Sequence, residues 1–394
     1  MDSDGLRLSD AAHALVGQPM FGLLTQANEL EKKGIDVIHF EIGDSGFDSP
    51  RDAIDAASNA LYQGQTHYVE SRGMGLLHDA ICDYLTDIIG YRPKESQVAV
   101  APANALIDFF LKCVANAGDE IIVPDPCFPS YLAAIRYQNL IAVKIPLDPE
   151  RNFRMDPKLI EGAISKKTKA IFINSPHNPT GSSLLKSDVE AIAQIASERN
   201  IFLFSDEVYA ELLFDKVHFS PSYIDACKRT TVVLGSLSKS HAMAGWRSGF
   251  MIAPDFLVSK VELLIQTILS CIPPFVQIGS VVAFENGSSH VAKLRAAYSE
   301  RATLLSEGLN KLSNMDCRRP DGGLYVFPKL TSSRLSAQDY ARLLLQEEGV
   351  CVLPGNYFGE SSGDYLRFSY GSTPVKKIKE ALTRIERFHR KWAA

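Results

Sequence analysis

Lys239 stands where an apolar run gives way to small polar residues, a position in which a lysine can act as a nucleophile. The β-branched and apolar residues 232–234 predict a buried strand that ends close to the lysine. An amine held against apolar walls beside other cations binds its proton less tightly and can form an imine with an aldehyde. Ser236, Ser238 and Arg247 are near in sequence and could hold a phosphate dianion. A lone lysine is usually an exposed loop residue, so Lys239 alone does not indicate a catalytic site and other residues must support that interpretation.

Further polar and aromatic side chains stand at the ends of other predicted strands. Asp206 follows the apolar run 201–204, so burial would disfavour its charge unless a cation such as a pyridinium N–H pairs with it. Tyr209 and Asn178 could hydrogen-bond the oxygen substituent of such a ring, and Phe128 could lie on its face. Each also has an ordinary explanation, as a helix cap, a turn residue or a core aromatic. Their gathering at strand ends favours one shared site.

Alternating strands and helices must position these residues, and they predict an α/β fold with a mostly parallel sheet covered by helices on both faces. Ligands of such sheets bind beyond the carboxyl ends of the strands, so the polar clusters should converge on one crevice. Strands are predicted at 37–42, 98–100, 120–123, 170–173, 201–204 and 232–234, with a further apolar stretch at 249–253. Helices are predicted around 20–30 and at 75–89, 106–111 and 187–198.

The pattern changes after about residue 254. A long helical stretch over roughly 255–310 is expected to form a spine. Short strands at 323–327 and 365–369 alternate with helices at 336–348 and 374–391, which predicts a smaller α+β domain. A chain of 394 residues is too long for one core. We therefore expect an N-terminal segment (1–45) that joins the small domain, a large α/β domain (46–285) and a small C-terminal domain (286–394).

Composition excludes several classes of protein. The net charge of −5 and the lack of a basic run argue against binding to nucleic acid. No apolar run approaches membrane-spanning length, and the polar, acidic residues 1–5 show no signal peptide. Seven cysteines are scattered without paired spacing, which argues against a disulfide framework or a metal site and favours a reducing compartment. We expect a cytoplasmic protein with no metal.

Several of these segments together resemble the class I/II aminotransferases, the fold-type I pyridoxal-phosphate-dependent enzymes, over nearly the whole chain. This resemblance implies their fold, with a sheet of the seven-stranded type, and pyridoxal 5′-phosphate as cofactor. The matching segments are Ser236-Leu237-Ser238-Lys239 with Gly245-Trp246-Arg247, Asn174-Ser175-Pro176-His177-Asn178-Pro179-Thr180-Gly181, Ser205-Asp206-Glu207-Val208-Tyr209, and Leu366-Arg367-Phe368-Ser369.

The resemblance assigns roles residue by residue. Lys239 would form the internal aldimine with the cofactor and shuttle the substrate proton. Asp206, Asn178 and Tyr209 would tune the electronic properties of the cofactor ring, and Phe128 would stack on that ring. Ser236, Ser238 and Arg247 would bind the cofactor phosphate. Gly43, Asn178 and Arg367 would bind the substrate. Tyr68 resembles the tyrosine that reaches the cofactor phosphate of the neighbouring subunit, which implies a homodimer with shared active sites.

One segment departs from the family pattern. The family usually carries a glycine and a hydroxyl residue before the helix whose N-terminus cradles the phosphate. This chain has Val100-Ala101-Pro102-Ala103-Asn104, and Pro102 has no N–H to donate. The first donating residue could align with Pro102 or Ala103, so the amides of Ala103 and Asn104 are the expected backbone donors.

The resemblance implies transfer of an amino group between an amino acid and a 2-oxo acid. The same electron-accepting cofactor also supports elimination or replacement at the β or γ carbon, as in the aminocyclopropane-carboxylate synthases, which act on S-adenosylmethionine. A ligand-sensing regulator is disfavoured because only about 40 residues precede the first strand, without a helix-turn-helix pattern. No arginine can be assigned to a distal substrate carboxylate, although Arg72 and Arg136 are conceivable.

Overall fold

The computed structural model describes residues 7–15, 17, 19–331 and 333–392. Residues 1–5, to which the expectation on a signal peptide applies, lie outside this described part. The helices are α1 (Asp10–Ala14), α2 (Pro19–Lys32), α3 (Arg51–Tyr62), α4 (Gly75–Ile89), α5 (Ala103–Val114), α6 (Pro129–Tyr137), α7 (Pro157–Ala163), α8 (Lys186–Arg199), α9 (Ser222–Asp225), α10 (Leu237–Ser240), α11 (Asp255–Ile268), α12 (Pro274–Asn286), α13 (Ser288–Leu309), α14 (Ala337–Glu348) and α15 (Val375–Trp392).

A seven-stranded sheet forms the centre of the molecule, which confirms the predicted α/β fold. Its strands lie in the order β2-β8-β7-β6-β5-β3-β4, and only β8 runs antiparallel to its neighbours. These strands are β2 (Val98–Val100), β3 (Glu120–Asp125), β4 (Ile141–Pro146), β5 (Thr168–Asn174), β6 (Phe202–Asp206), β7 (Thr231–Ser236) and β8 (Gly249–Ile252). β4 was not predicted from the sequence; it is an edge strand whose first and last residues, Ile141 and Pro146, are exposed and which carries an exposed lysine at 144.

The central strands are apolar because helices cover both faces of the sheet. On one face, Phe172 of β5 and Phe204 of β6 stack with ring centroids 4.5 Å apart. Phe110 of α5 packs on Phe204 with a centroid distance of 4.7 Å. The three side chains are fully buried, and burial of this kind contributes roughly 1.5–3 kcal/mol per side chain. This packing fixes α5 against the sheet and therefore fixes where its N-terminus lies.

The stretch over 255–310 is helical as expected, but it is divided into separate helices. Three helices, α11, α12 and α13, occupy that stretch. The first break comes before Pro273 and Pro274, which cannot continue a hydrogen-bonded helix, and Ser270 adopts a left-handed conformation there with φ of 64°. The second break is at Gly287, which separates α12 from α13.

The expected strand at 37–42 is also much shorter, since only β1 (Ile38–His39) pairs, in parallel with β12 (Val350–Cys351). The backbone beyond it leaves the sheet pattern because its carbonyl groups accept hydrogen bonds from side chains. The Glu41 carbonyl accepts from Arg367 at 2.5 Å, and the Gly43 carbonyl accepts from Lys239 at 2.6 Å. This segment therefore lies along the site described below.

Short strands in the C-terminal part form small separate sheets. β14 (Leu366–Ser369) lies between β10 (Tyr325–Val326) and β13 (Leu353–Pro354), and β9 (Met315–Asp316) pairs with β11 (Lys329–Leu330). Helices α13, α14 and α15 pack with β9, β10, β11 and β14 in one apolar core, to which the N-terminal residues Ile38 and Phe40 also belong. The domain boundaries expected at 45 and 285 stay a prediction.

Within the described part of the chain, none of the helices has both the length and the apolar character needed to cross a bilayer.

Candidate active site

One cavity of about 470 Å³ lies where the strands of the central sheet meet the segment 42–44. It brings together every predicted site residue except Tyr68. The predicted residues that line it are Gly43, Ala103, Asn104, Phe128, Asn178, Asp206, Tyr209, Ser236, Ser238, Lys239, Arg247 and Arg367. Residues from both the large sheet and the C-terminal part contribute to this one cavity.

Strand register explains why these distant residues converge. Asn174 at the end of β5 pairs with Asp206 at the end of β6, and Asp206 pairs with Leu234 of β7. Ser236 ends β7 two residues later and pairs with Gly249 of the antiparallel β8. Since parallel strands end at the same edge, their terminal side chains meet there, as the sequence pattern indicates.

Lys239 lies on the short helix α10, which begins directly after β7. The Ser236 hydroxyl caps this helix by accepting a hydrogen bond of 3.1 Å from the Ser238 amide. The Lys239 Nζ donates a hydrogen bond of 2.6 Å to the Gly43 carbonyl. Desolvation lowers the pKa of the Lys239 ammonium; the Asp44 carboxylate opposes this effect, and Arg247 and Arg367 add to it. A lysine in this setting gives up its proton more readily than an exposed one.

Asp206 is a buried carboxylate without a cationic partner among the described residues. The Tyr131 hydroxyl donates to its Oδ2, and the Val208 amide donates to its Oδ1 at 3.3 Å. Burial raises the pKa of Asp206 to about 6, although both hydrogen bonds oppose this shift. A buried carboxylate of this kind is stabilised by a cationic N–H at the cavity. Tyr131 was not predicted as a site residue, because its position three residues after Phe128 gives no separate signal in the sequence.

Tyr209 and Tyr325 meet inside the cavity through their hydroxyl groups, which lie 2.7 Å apart. Both phenols are buried, and burial raises the pKa of each. Tyr325 was not predicted as a site residue because its segment, β10, reads only as a short apolar strand. It also lies against Gly43, where an added Cβ would come within 2.1 Å of the Tyr325 hydroxyl oxygen. A side chain at position 43 would therefore displace Tyr325.

Arg367 is fully buried between two aromatic rings. Its guanidinium carbon lies 4.5 Å from the Tyr325 ring centroid and 4.7 Å from that of Phe358. Its two terminal nitrogens donate to the Asn178 Oδ1 at 3.2 Å and to the Glu41 carbonyl at 2.5 Å. The buried Nε has no hydrogen-bond partner among the described residues. Such a fixed guanidinium suits a carboxylate ligand, which it can bind in a bidentate fork.

The N-terminus of α5 forms another wall of the cavity. Pro102 precedes the helix and its carbonyl accepts from the Ala105 and Leu106 amides, at 2.8 and 3.0 Å. The amides of Ala103 and Asn104 are the first two of the helix and precede this hydrogen-bonding pattern. The structure thus starts the helix at Ala103, one of the two positions that the sequence left open.

Gly249 allows this helix end to approach β8 closely. A Cβ at that position would lie 2.9 Å from both the Ala101 carbonyl oxygen and the Ala103 nitrogen. Ser236, Ser238 and Arg247 face the same cavity, so hydroxyl, guanidinium and amide donors surround one region. A phosphate dianion fits this set of donors.

Tyr68 does not belong to the cavity of its own chain. Its side chain is 85% exposed, in the segment between α3 and α4. The two arginines considered for a distal carboxylate, Arg72 and Arg136, also do not line the cavity.

Comparison with known proteins adds an independent finding to this geometry. The family model described as "Aminotransferase class I and II" matches residues 35–385. The chain belongs to this family. It is an aminotransferase, and the resemblance drawn from its motifs is confirmed.

Named relatives and solved structures support the assignment. The chain is 34% identical over 354 residues to a putative aminotransferase YugH of Bacillus subtilis (89% of this chain, 91% of the relative). It is 35% identical over 357 residues to the arginine–pyruvate transaminase AruH of Pseudomonas aeruginosa (90% of each chain). Its fold is similar to that of the Thermus thermophilus aspartate aminotransferase with maleate, with a TM-score of 0.92 and 30% identity (97% of this chain, 99% of that chain). These proteins are aminotransferases, which decides in favour of transamination over the elimination and replacement reactions left open by the sequence.

Proposed function

We propose that the cavity binds pyridoxal 5′-phosphate and that this aminotransferase moves an amino group between an amino acid and a 2-oxo acid. The placement of Lys239 and Asp206 in one cavity carries the proposal, because the lysine has a lowered pKa and the buried carboxylate a raised one. When bound, the cofactor supplies an aldehyde that takes up the amino group and a ring that withdraws electrons from the substrate.

The residues of the cavity fit the parts of this cofactor. The Asp206 carboxylate would accept a hydrogen bond from the protonated ring nitrogen, which would give this buried anion a cationic partner. Phe128 would lie against the ring face, and Tyr209 and Asn178 would hydrogen-bond its oxygen substituent. The amides of Ala103 and Asn104, the hydroxyls of Ser236 and Ser238, and Arg247 would hold the phosphate.

Substrate would be held between Arg367 and Lys239. Arg367 is oriented by its two rings and by the Asn178 and Glu41 oxygens, so its guanidinium is preorganised to bind the α-carboxylate. Lys239 Nζ would take the proton from the substrate α-carbon as a general base, and its lowered pKa favours the neutral amine that this step needs. Gly43 would line the substrate side of the cavity and keep Lys239 Nζ in place through its carbonyl.

The proposed working unit is a homodimer in which Tyr68 of one copy reaches the phosphate site of the other. Its exposed aromatic side chain lies outside the cavity of its own chain, and Leu61 and Tyr62 at the end of α3 are exposed as well. A tyrosine hydroxyl from a second copy would add a donor where Pro102 provides none. We also propose a cytoplasmic location, because scattered cysteines without disulfide bonds are typical of a reducing compartment.

Isotope transfer tests the proposed reaction. The purified holoenzyme would be incubated with ¹⁵N-labelled amino acids, each with pyruvate or 2-oxoglutarate. We expect the label in the amino acid formed from the oxo acid, with no free ammonia. Label released as ammonia would indicate elimination and contradict the proposed reaction. Wild type and Lys239→Ala would be compared, and only the former should transfer label.

A further inference from the structure

Asn174 begins the segment 174–181, and the proposed function gives this residue no role. It is the last residue of β5, where it pairs in register with Asp206 of β6. Its side chain lines the cavity and is only 5% exposed. A buried primary amide needs partners for both its oxygen and its nitrogen, so the groups that it bonds indicate what it holds in place.

Both ends of this amide bind backbone groups of residues that are proposed to contact the cofactor. The Asn174 Nδ2 donates to the Asp206 carbonyl at 3.0 Å, and the Asn174 Oδ1 accepts from the Asn178 amide at 2.8 Å. A carbonyl can only accept and a backbone amide can only donate, so these partners fix the orientation of the side chain. Asn174 therefore bridges the residue proposed for the ring nitrogen and one of those proposed for the ring oxygen.

The two hydrogen bonds differ in what their loss would leave behind. The Asp206 carbonyl also accepts from the Ser175 amide at 3.2 Å, so it would keep a partner without Asn174. The Asn174 oxygen is the one acceptor that the described residues provide for the Asn178 amide. A buried N–H without an acceptor is costly, so without Asn174 the backbone at Asn178 should shift toward another partner.

Asn178 passes this constraint on to the substrate side of the cavity. Its Oδ1 accepts from a terminal nitrogen of Arg367 at 3.2 Å, which leaves its Nδ2 as the donor for the ring oxygen. Pro179 follows without an N–H to donate, so the Asn178 amide carries more of the anchoring of this turn. The backbone position of Asn178 thus decides two contacts of its side chain at once.

These contacts do not depend on a second subunit. Asn174 and both of its partners belong to one chain, and Asn178 and Asp206 are each 4% exposed. A partner that completes the site would add groups around the cavity without replacing a buried hydrogen bond inside the chain.

We infer that Asn174 is a positioning residue that holds Asn178 through its side-chain oxygen, and thereby sets both the hydrogen bond to the cofactor ring oxygen and the orientation of Arg367. This inference rests on the proposed function, to which the roles of Asn178 and Arg367 belong. Asn174 acts through Asn178, so the effects of substituting it should appear at both the cofactor and the substrate.

Asn174→Ala should change one spectroscopic and one kinetic property of the holoenzyme. A donor to the ring oxygen favours its anionic form, so a weaker donor should raise the pH midpoint of the bound cofactor's absorption change by roughly half to one pH unit. A less firmly held Arg367 should raise KM for the amino acid roughly 5- to 50-fold. Absorbance titration and steady-state kinetics with the most active amino donor measure the two.

A double-mutant cycle tests whether Asn174 acts through Asn178. In the Asn178→Ala background the side chain that Asn174 positions is gone, so adding Asn174→Ala should leave the absorption midpoint nearly unchanged and alter KM by less than about twofold. Full additivity of the two substitutions in either property would overturn the inference.

Gln97→Ala is the matched structural control. Gln97 is a buried amide, 2% exposed, that donates to the Ala226 and Cys227 carbonyls at 2.8 and 3.0 Å and accepts from the Lys94 amide at 3.1 Å. It does not line the cavity. Its substitution should lower the thermal unfolding midpoint, as Asn174→Ala does, but keep the wild-type absorption midpoint and KM. Equal shifts in the two variants would show that lost stability alone moves both properties, which would overturn the inference.

A second variant keeps the test open if Asn174→Ala does not fold. Asn174→Ser leaves a polar group at the site, but a serine hydroxyl is too short to span the Asp206 carbonyl and the Asn178 amide, so the same two shifts are expected. A holoenzyme that lacks the Asn174 amide and keeps the wild-type midpoint and KM would overturn the inference and leave transamination intact. Failure of the proposed function is a different result, namely a wild-type protein that binds no cofactor or transfers no amino group.

Discussion

The Tyr325 hydroxyl lies 2.7 Å from the Tyr209 hydroxyl, while the ring of the same Tyr325 lies 4.5 Å from the guanidinium carbon of Arg367. One side chain thus contacts the residue proposed for the cofactor ring and the residue proposed for the substrate carboxylate. Through its hydroxyl it supports Tyr209, and through its ring it helps to fix Arg367. These two contacts can be separated by substitution.

The substitution Tyr325→Phe keeps the ring and removes the hydroxyl. We expect kcat to fall roughly 2- to 10-fold, the worth of one ordinary hydrogen bond, with little change in KM for the amino acid. Tyr325→Leu also removes the ring beside Arg367, so KM should rise in that variant. Steady-state kinetics of both variants checks this, and an equal rise in KM in the two would contradict the separate roles.

Asp206 should matter more for turnover than Tyr209. Asp206→Ala removes the carboxylate that would keep the cofactor ring protonated, and we expect a loss of activity on the order of a hundredfold or more. Tyr209→Phe removes one of two proposed donors to the ring oxygen while Asn178 remains, so its loss should be smaller. Kinetics at saturating cofactor compares the two. Equal losses, or a greater loss at Tyr209, would speak against the assigned roles.

The raised pKa of Asp206 predicts a pH-dependent stability of the cofactor-free protein. The carboxyl has a pKa of about 6 when folded and an ordinary value of 3.8, so the folded state binds more protons between these values. The contribution of Asp206 to the free energy of unfolding therefore falls as the pH rises from about 4 to about 6. Asp206→Asn lacks this penalty and should be more stable than wild type at pH 7, by an amount on the order of 3 kcal/mol, with a smaller difference at pH 4.

Urea unfolding of both proteins at the two pH values measures this difference. Adding pyridoxal phosphate should stabilise wild type more than Asp206→Asn, because the ring cation would pair with the carboxylate. A variant that is less stable than wild type at pH 7 without cofactor would show that Asp206 is not held as an unpaired anion.

Shared active sites predict complementation between two inactive variants. Tyr68→Ala and Lys239→Ala would be mixed after reversible dissociation. In a hybrid dimer with shared sites, one site carries both lesions and the other carries neither, so activity should return. Subunit exchange would be monitored with labelled chains. If exchange occurs and the mixture stays inactive, the shared-site proposal is wrong.

Residues at the ends of apolar strands were predictable from the sequence. Asp206 and Ser236 follow buried runs, and strand pairing brings their positions to one edge of the sheet, where the structure places them. Tyr131 and Tyr325 were not predictable, because they reach the cavity through helix and small-sheet packing that no local pattern specifies. The helical stretch expected over 255–310 is present but is interrupted before Pro273 and Pro274, and these helix breakers are visible in the sequence.

The segment 41–44 shows a second limit of sequence reasoning. The pattern of residues 37–42 predicts a strand longer than β1, but the backbone carbonyls of Glu41 and Gly43 accept hydrogen bonds from Arg367 and Lys239. Those donors lie more than 190 positions away in the chain, so local preference cannot anticipate them.

The central claim is that Lys239 bonds covalently to the cofactor, and reductive labelling tests it most directly. The holoenzyme would be treated with borohydride, digested and mapped by mass spectrometry, with untreated protein as the control. We predict a pyridoxyl-phosphate group on the peptide that contains Lys239, and no label there in Lys239→Ala. A label on a different lysine of the wild-type protein, or cofactor that borohydride leaves unattached to the chain, would contradict the account.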